Sequence, residues 1–350
     1  MSKKLKIALL APFEEPVPPH KYGGTELVVY NLAEELTKLG HEITLLASGD
    51  SHTSAKLKAC VPRSIRVLPE ASSPPIRQGL NYAGLAKAIT LINQNGFDIL
   101  HNHFGWQMLL FRDLITCPIV TTLHGTLEEP TEKYMHNRFQ EENFISISNT
   151  QRKHGPKLNY VATVYNGIQV ERFTFNDKPK DYFAFLGRIH PHKGPEYAIE
   201  IAKKAGIKLI MAAKIDPLDV DYYERCVKPL IDGKQIQFIG EPDHKGKVEL
   251  LKNAKALLLP VQWDEPFGLV NIEALACGTP VINMRRGSLP EIINEGKQGY
   301  LCKTIDDAVN AIPKIGKINR LGCRQYVEAN FTAKQMAERY VDAYKKVLGI

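Results

Sequence analysis

The chain has 350 residues, 44% of them hydrophobic and 24% charged, with a formal net charge of +7; this length suits two domains with ordinary globular cores. No stretch approaches the roughly 18 apolar residues that span a bilayer, and the dispersed Lys and Arg residues form no helix-turn-helix, zinc finger or aromatic-basic platform, so nucleic acid is not an expected partner. Cys60, Cys117, Cys226, Cys277, Cys302 and Cys323 show no C-x-x-C pairing and sit mostly in apolar runs, as reduced thiols do; the expected location is cytoplasmic, with peripheral membrane contact left open.

Lys3, Lys4 and Lys6 precede the apolar run Ile7 to Phe13 in the manner of a short signal peptide, but the run is brief and Glu14 and Glu15 follow at once, so it reads as a first strand. Apolar runs bounded by turn residues then alternate with amphipathic helices, the pattern of parallel sheets flanked by helices. The earlier series places strands at Lys6–Leu10, Ile43–Ala47, Ile65–Leu68, Ile99–His101, Ile119–Leu123, Phe144–Ser148 and Val161–Val164, with helices at Thr25–Leu39 and Asn81–Asn95. The later series places strands at Tyr182–Leu186, Lys208–Met211, Gln235–Ile239, Ala256–Pro260 and Val281–Met284. Its helices fall at Pro195–Lys204, Val220–Leu230, Lys245–Asn253 and Leu269–Cys277. Polar residues and Pro179 interrupt the pattern between Gly167 and Lys180, which marks a seam. Two facing Rossmann-like α/β domains with a cleft are therefore expected. The last helix, about Ala333–Leu348, carries Met336, Ala337, Tyr340, Val341, Tyr344 and Val347 at helical spacing and reads as a core stripe.

The segment from Glu265 to Glu273 is the richest in chemistry. It sets two carboxylates eight positions apart, the earlier in a turn with Pro266 and the later in an apolar helix that Gly278 stops. Helix N-termini in general offer N–H donors and partial positive charge, so a phosphate placed beside Phe267, Gly268 and Leu269 at the mouth of that helix would be stabilised. Glu273 reaches sideways to hydroxyls, which ionised carboxylates accept well and phosphates do not supply. The combination implies a sugar nucleotide, although two such Glu residues in isolation would read as solvated surface or a helix cap.

Gly23-Gly24-Thr25 opens a helix after the first strand and its loop, where glycine permits close backbone approach to phosphate and Thr25 is a candidate cap. The G-x-G-x-x-G fingerprint of dinucleotide folds is absent after both first strands. Asp219-Val220-Asp221 imitates a metal-binding D-x-D but reads as a helix start. His101, His103 and His124 lack the short spacing of zinc ligands, and His124 stands at a strand's carboxyl end, where open α/β sheets bind ligands. A satisfied core histidine is the competing reading.

The string from Glu265 to Ile282, together with Tyr22-Gly23-Gly24-Thr25-Glu26, Leu123-His124-Gly125, Tyr165-Asn166-Gly167-Ile168 and Gly187-Arg188-Ile189-His190-Pro191-His192-Lys193-Gly194, resembles the E-x7-E signature and accompanying motifs of the retaining glycosyltransferases of family 4 (glycosyl transferases group 1). The resemblance implies a GT-B fold. An acceptor-binding domain would cover 1–166, with the terminal helix 333–350 crossing back onto it, and a nucleotide-sugar-binding domain would cover 167–332. It further implies that Arg188 and Lys193 contact the donor diphosphate in place of a metal, that Glu265 holds sugar hydroxyls and Glu273 the ribose, and that His124 lies beside the donor sugar. Gly23, Gly24, Phe267, Gly268 and Leu269 would line the donor site. Asn166-Gly167 would be the hinge or an ordinary turn, the Leu289-Pro290-Glu291 turn would feed the nucleotide pocket, and His103 would shape the acceptor side.

The implied activity is hexosyl transfer with retention from a nucleoside diphosphate sugar, UDP-glucose before GDP-mannose, to a hydroxyl acceptor that is a glycan, a lipid or a small natural product. No cofactor and no obligatory metal are expected. Three rival readings are weighed. A nucleotide-sugar epimerase would need no acceptor, a phosphorylase would need a Lys-bound pyridoxal, and a non-catalytic sugar-binding protein would need export.

Overall fold

The computed structural model describes residues 4–21, 23–153 and 155–350; Lys3 of the amino-terminal lysines and Tyr22 of the glycine motif lie outside them. The chain divides into two compact units, Met1–Gly167 with Ala333–Ile350, and Ile168–Thr332.

In the first unit seven strands form one parallel sheet in the order β3-β2-β1-β4-β5-β6-β7: β1 Lys6–Leu10, β2 Glu42–Ser48, β3 Lys56–Val61, β4 Ile99–Asn102, β5 Ile119–Leu123, β6 Asn143–Ser146 and β7 Asn159–Thr163. The central strands β1, β4 and β5 are buried apart from Lys6, with apolar residues along most of β1 and buried His101, Asn102, Thr121 and Thr122 towards the carboxyl ends of β4 and β5, as befits a parallel sheet covered by helices on both faces. The helix Gly24–Lys38 follows β1. The terminal helix Ala333–Leu348 packs on it and reaches β7, burying Met336, Tyr340 and Tyr344.

The second unit repeats the design with six parallel strands in the order β10-β9-β8-β11-β12-β13: β8 Phe183–Arg188, β9 Leu209–Lys214, β10 Ile236–Phe238, β11 Leu257–Leu259, β12 Val281–Met284 and β13 Gly299–Cys302. Strand order reverses between β1 and β4 in one sheet and between β8 and β11 in the other. Carboxyl-end loops diverge at such a reversal and open a crevice for ligands. The two doubly wound parallel sheets with the returning terminal helix are the GT-B architecture.

Several elements differ from expectation. The third strand is Lys56–Val61, not Ile65–Leu68. Lys56 and Lys58 mask its apolar pattern, and those charges suit an edge that must not pair further. Ile65–Val67 is a 3-10 turn between Pro62 and Pro69, with Ile65 buried and its N–H donated to Phe13 O at 2.8 Å. The strand β13 was not anticipated; its Gly299 packs so closely that a Cβ would lie 2.0 Å from Val281 O. The helix expected at Asn81–Asn95 begins earlier, at Pro74, with proline at its first position. The stretch Val220–Leu230 is not one α-helix but an α turn, a π turn at Tyr223–Val227 and a 3-10 turn at Lys228–Leu230, where Pro229 lacks the N–H to continue. Thr25 is not a cap, because the helix starts one residue earlier and the cap position falls on Gly23. Among the described residues no helix is long and apolar enough to cross a membrane.

Candidate active site

In the second unit, β8 ends in Gly187-Arg188, and the chain turns at once through the 3-10 turn Pro191–Lys193. His190 Nδ1 accepts from the His192 N–H at 3.1 Å and caps that turn. Gly194 has φ 63°, and a Cβ there would lie 2.2 Å from Pro260 O. Glycine alone lets the Lys193 turn lie against the loop that leaves β11, and Gln262 N–H seals the contact by donating to His192 O at 2.8 Å.

That contact brings together two residues 72 positions apart in sequence. Lys193 Nζ lies 2.5 Å from Glu265 Oε2, and the Trp263 indole N–H donates to the same oxygen at 3.0 Å. His192 stacks on the indole, with ring centres 4.9 Å apart and planes 11° apart. Glu265 is only 7% exposed. Its backbone is clamped by the turn after β12: Ser288 N–H donates to Glu265 O at 2.9 Å, and Gly287 N–H donates to Asp264 Oδ1 at 2.9 Å. Gly287, at φ 53°, could not carry a Cβ, which would fall 2.4 Å from Glu265 N and O. The carboxylate is thus held from both sides, and its Oε1 has no hydrogen bond among the described residues.

Three residues on, Gly268 (φ 81°) caps the helix Leu269–Ala276 without a side-chain acceptor. Asn271 Nδ2 donates to Gly268 O at 2.9 Å and Asn283 Nδ2 to Asn271 Oδ1 at 3.1 Å, so the helix start is tied to β12. The first-turn N–H groups and the positive end of the helix can accept an anion. About one turn further, buried Glu273 has Oε1 2.5 Å from Lys247 Nζ, on the helix His244–Asn253. The Lys247 ammonium also lies 5.5 Å from the Phe173 ring centre.

Arg188 Nε lies 3.6 Å from Asp219 Oδ2 and makes no hydrogen bond among the described residues. His190 Nε2 is 3.8 Å from Asp219 Oδ1; burial and then the Arg188 cation lower its pKa, favouring neutral imidazole. The two carboxylates of Asp219-Val220-Asp221 diverge, Asp219 towards Arg188 and Asp221 to an exposed pair with Arg225 at 2.8 Å. Among the described residues no group of three or more His, Cys, Asp or Glu side chains is placed to hold a metal ion.

In the first unit, Gly23 meets the β1 loop so closely that a Cβ would fall 2.6 Å from Pro19 Cβ. Gly24 begins the helix. Glu26, in its first turn, is 6% exposed, and burial pushes its carboxyl up to about 7. β4 supplies His101 and leads into His103, while β5 leads into His124. Both His101 nitrogens are engaged at 2.7 Å, Nδ1 by Tyr344 OH and Nε2 by Thr122 Oγ1, so the ring is spoken for within the core. His103 is fully buried with Nδ1 2.8 Å from His124 Nε2. Burial pushes His124 down to about 4 and holds His101 and His103 well below the usual imidazole range.

Of the residues singled out from sequence, Arg188 ends β8, Lys193, Glu265, Phe267 and Gly268 sit on the carboxyl-edge loops of the second unit, and Leu269 and Glu273 lie in the helix that follows, while in the first unit Gly23 and His124 sit on the corresponding loops and Gly24 begins the helix after β1. Asn166-Gly167 ends the first unit, where Gly167 O accepts from Asn31 Nδ2 at 3.2 Å. Trp263, Lys247 and Asp219 were not assigned site roles. Trp263 could have been suspected from its place two residues before Glu265, but nothing in the sequence links Lys247 to Glu273 or Asp219 to Arg188.

Two family models match the chain: Glycosyltransferase Family 4 over residues 22–172 and Glycosyl transferases group 1 over residues 169–329. An uncharacterized glycosyltransferase of Methanocaldococcus jannaschii is 24% identical over 92% of each chain. The D-inositol 3-phosphate glycosyltransferase of Mycobacterium tuberculosis is 23% identical over 98% of this chain and 84% of its own. Among solved structures, the sucrose-phosphate synthase of Thermosynechococcus elongatus superposes with a TM-score of 0.79 at 20% identity, covering 99% of this chain and all of its own. Anabaena HepE, solved with UDP and glucose, superposes with a TM-score of 0.72 at 17% identity over 97% and 98%. With the two family models meeting near the boundary between units and together reaching from residue 22 to residue 329, the chain is a GT-B glycosyltransferase of the family 4 and group 1 relationship, an enzyme acting on a nucleotide-sugar donor.

Proposed function

We propose that the enzyme moves a hexosyl unit from UDP-glucose, with GDP-mannose as the next choice, to a hydroxyl of a glycan, lipid or small natural product, retaining the anomeric configuration and needing no metal. The reading rests above all on the Lys193–Glu265–Trp263 cluster beside the uncapped helix mouth at Gly268. It sets a cation and a row of N–H donors for diphosphate next to a carboxylate for sugar hydroxyls. The second unit, 168–332, takes the donor; the first, 1–167 with 333–350, takes the acceptor.

Transfer proceeds on one face of the sugar. The acceptor oxygen bonds to the anomeric carbon as the bond from that carbon to the β-phosphate oxygen breaks, and the departing β-phosphate takes the acceptor's proton. Arg188, Lys193 and the N–H groups at Phe267, Gly268 and Leu269 stabilise the negative charge that grows on the leaving diphosphate, which is where preorganised donors accelerate a reaction most. Lys193 has three N–H groups, so it can serve phosphate while keeping Glu265. Glu265 Oε1 receives sugar hydroxyls, Glu273 the ribose, His124 a sugar hydroxyl, and the Gly23-Gly24 backbone a phosphate oxygen.

The test is thermal unfolding with UDP, GDP, ADP and dTDP, each with and without EDTA. A ligand at 100 times its Kd adds about 2.7 kcal/mol of stability, so UDP should raise the melting temperature equally in both conditions. No response to any nucleoside diphosphate would overturn the reading. Nuclear magnetic resonance of the donor alone separates the epimerase alternative, which would isomerise it without an acceptor.

A further inference from the structure

The mechanism proposed above uses His124 and leaves the histidine behind it unexplained. His103 is buried, its Nδ1 lies 2.8 Å from His124 Nε2, and its own Nε2 is buried with no hydrogen-bond partner among the described residues. The two rings are 5.1 Å apart between centres with planes only 30° apart. That is the spacing of imidazoles joined edge to edge through an N–H···N bond. The face contact of His101 on His103, by contrast, brings centres to 3.9 Å.

A neutral imidazole has one N–H, so the pair has two arrangements. If His124 donated from Nε2, the proton of His103 would sit on its Nε2, a buried N–H with no acceptor. If His103 donates from Nδ1, the unmatched atom is only a lone pair. Orphaned buried N–H groups are the rarer and costlier of the two.

The neighbouring His101 and hydroxyl groups form a chain of their own that does not include His103. The Thr122 hydroxyl donates to Tyr340 OH at 3.2 Å, so His101 Nε2–H must donate to Thr122 Oγ1 and the Tyr344 hydroxyl to His101 Nδ1. The Thr122, His101 and Tyr344 protons are thereby committed to one another, and among the described residues none of these groups is a hydrogen-bond partner of His103 Nε2. We propose that His103 is a positioning residue that donates Nδ1–H to His124 Nε2 and thereby fixes His124 as the tautomer with its proton on Nδ1, a donor aimed at a ligand rather than an acceptor. The assignment of a sugar hydroxyl as that ligand rests on the glycosyltransfer reading; the tautomer does not.

Nitrogen-15 resonance of histidine-labelled enzyme tests it directly. In the parent, His124 should show a protonated Nδ1 and an unprotonated Nε2. His103→Asn, whose amide nitrogen occupies nearly the position of imidazole Nδ1, should keep that signature. His103→Leu should lose it and lower turnover about tenfold, the worth of one neutral hydrogen bond, while melting curves show both variants folded. A parent His124 protonated on Nε2, or an unchanged tautomer in His103→Leu, would overturn the inference. If the tautomer behaves as expected but neither variant changes sugar transfer, the fault lies with the role given to His124 and not with His103.

Discussion

Replacing Lys193 by methionine separates what the ion pair does for the fold from what it does for the reaction. Glu265 Oε2 takes both the Lys193 ammonium at 2.5 Å and the Trp263 indole at 3.0 Å, and the Lys193 and Glu265 side chains are 16% and 8% exposed. Removing one partner of a buried pair costs about 3–5 kcal/mol. The Trp263 bond survives and water can enter where Lys193 is wetted, so the lower end, about 3 kcal/mol, is expected. For a unit of this size each kcal/mol moves the melting temperature by roughly 2–4 °C, which puts the drop near 6–12 °C. Glu265→Gln in the same background should recover part of the loss, because the stranded charge is gone. Turnover behaves differently: loss of a cation at the leaving diphosphate costs about 2–4 kcal/mol of transition-state stabilisation, and the second substitution cannot restore it. The assays are differential scanning fluorimetry and initial-rate release of UDP from UDP-glucose. A Lys193→Met variant that melts with the parent and turns over normally would refute both halves of the reasoning; recovery of rate by the double variant would refute the assignment of Lys193 to the phosphate.

Glu273→Gln should weaken UDP binding by about 1.5–3 kcal/mol, the range for hydrogen bonds to a charged group, and leave inorganic pyrophosphate binding unchanged, since pyrophosphate has no ribose; calorimetry with both ligands is the check. Glu26 has a folded-state carboxyl raised to about 7 by burial, above its unfolded value, so its stabilising contribution is full below pH 4.5 and is lost as pH rises through 7. Glu26→Gln should therefore gain up to ~3 kcal/mol at pH 8 relative to its effect at pH 4.5, and melting curves at the two pH values showing equal effects would contradict the burial argument. Gly287→Ala places a Cβ 2.4 Å from Glu265 N and O at φ 53°; the strain alone is about 1–3 kcal/mol, and because relief must displace Glu265, turnover should fall more steeply than the melting temperature.

Much of the fold was legible because buried parallel strands are continuous apolar runs with turn residues at each end: Lys6–Leu10, Ile119–Leu123 and Val281–Met284 were read with their observed bounds. Two of the four edge strands were not, although β7 and β10 were anticipated with shifted bounds. Lys56–Val61 carries lysines on a wetted face, and Gly299–Cys302 begins with a glycine that exists only because Val281 O leaves no room for a Cβ. The carboxylates of the helix segment stood out because their chemistry lies within nine consecutive residues. Lys247, Asp219 and the His103–His124 bond did not, since each depends on which strand ends become neighbours, and that is a property of sheet order rather than of local sequence.

A crystal structure of the enzyme soaked in UDP-glucose tests the central claim most directly. The account predicts the diphosphate against Arg188, Lys193 and the N–H groups at Gly268 and Leu269, with the ribose hydroxyls on Glu273 and the glucose hydroxyls on Glu265. Nucleotide density away from the mouth of the Leu269–Ala276 helix, or a diphosphate that leaves Lys193 untouched, would contradict it.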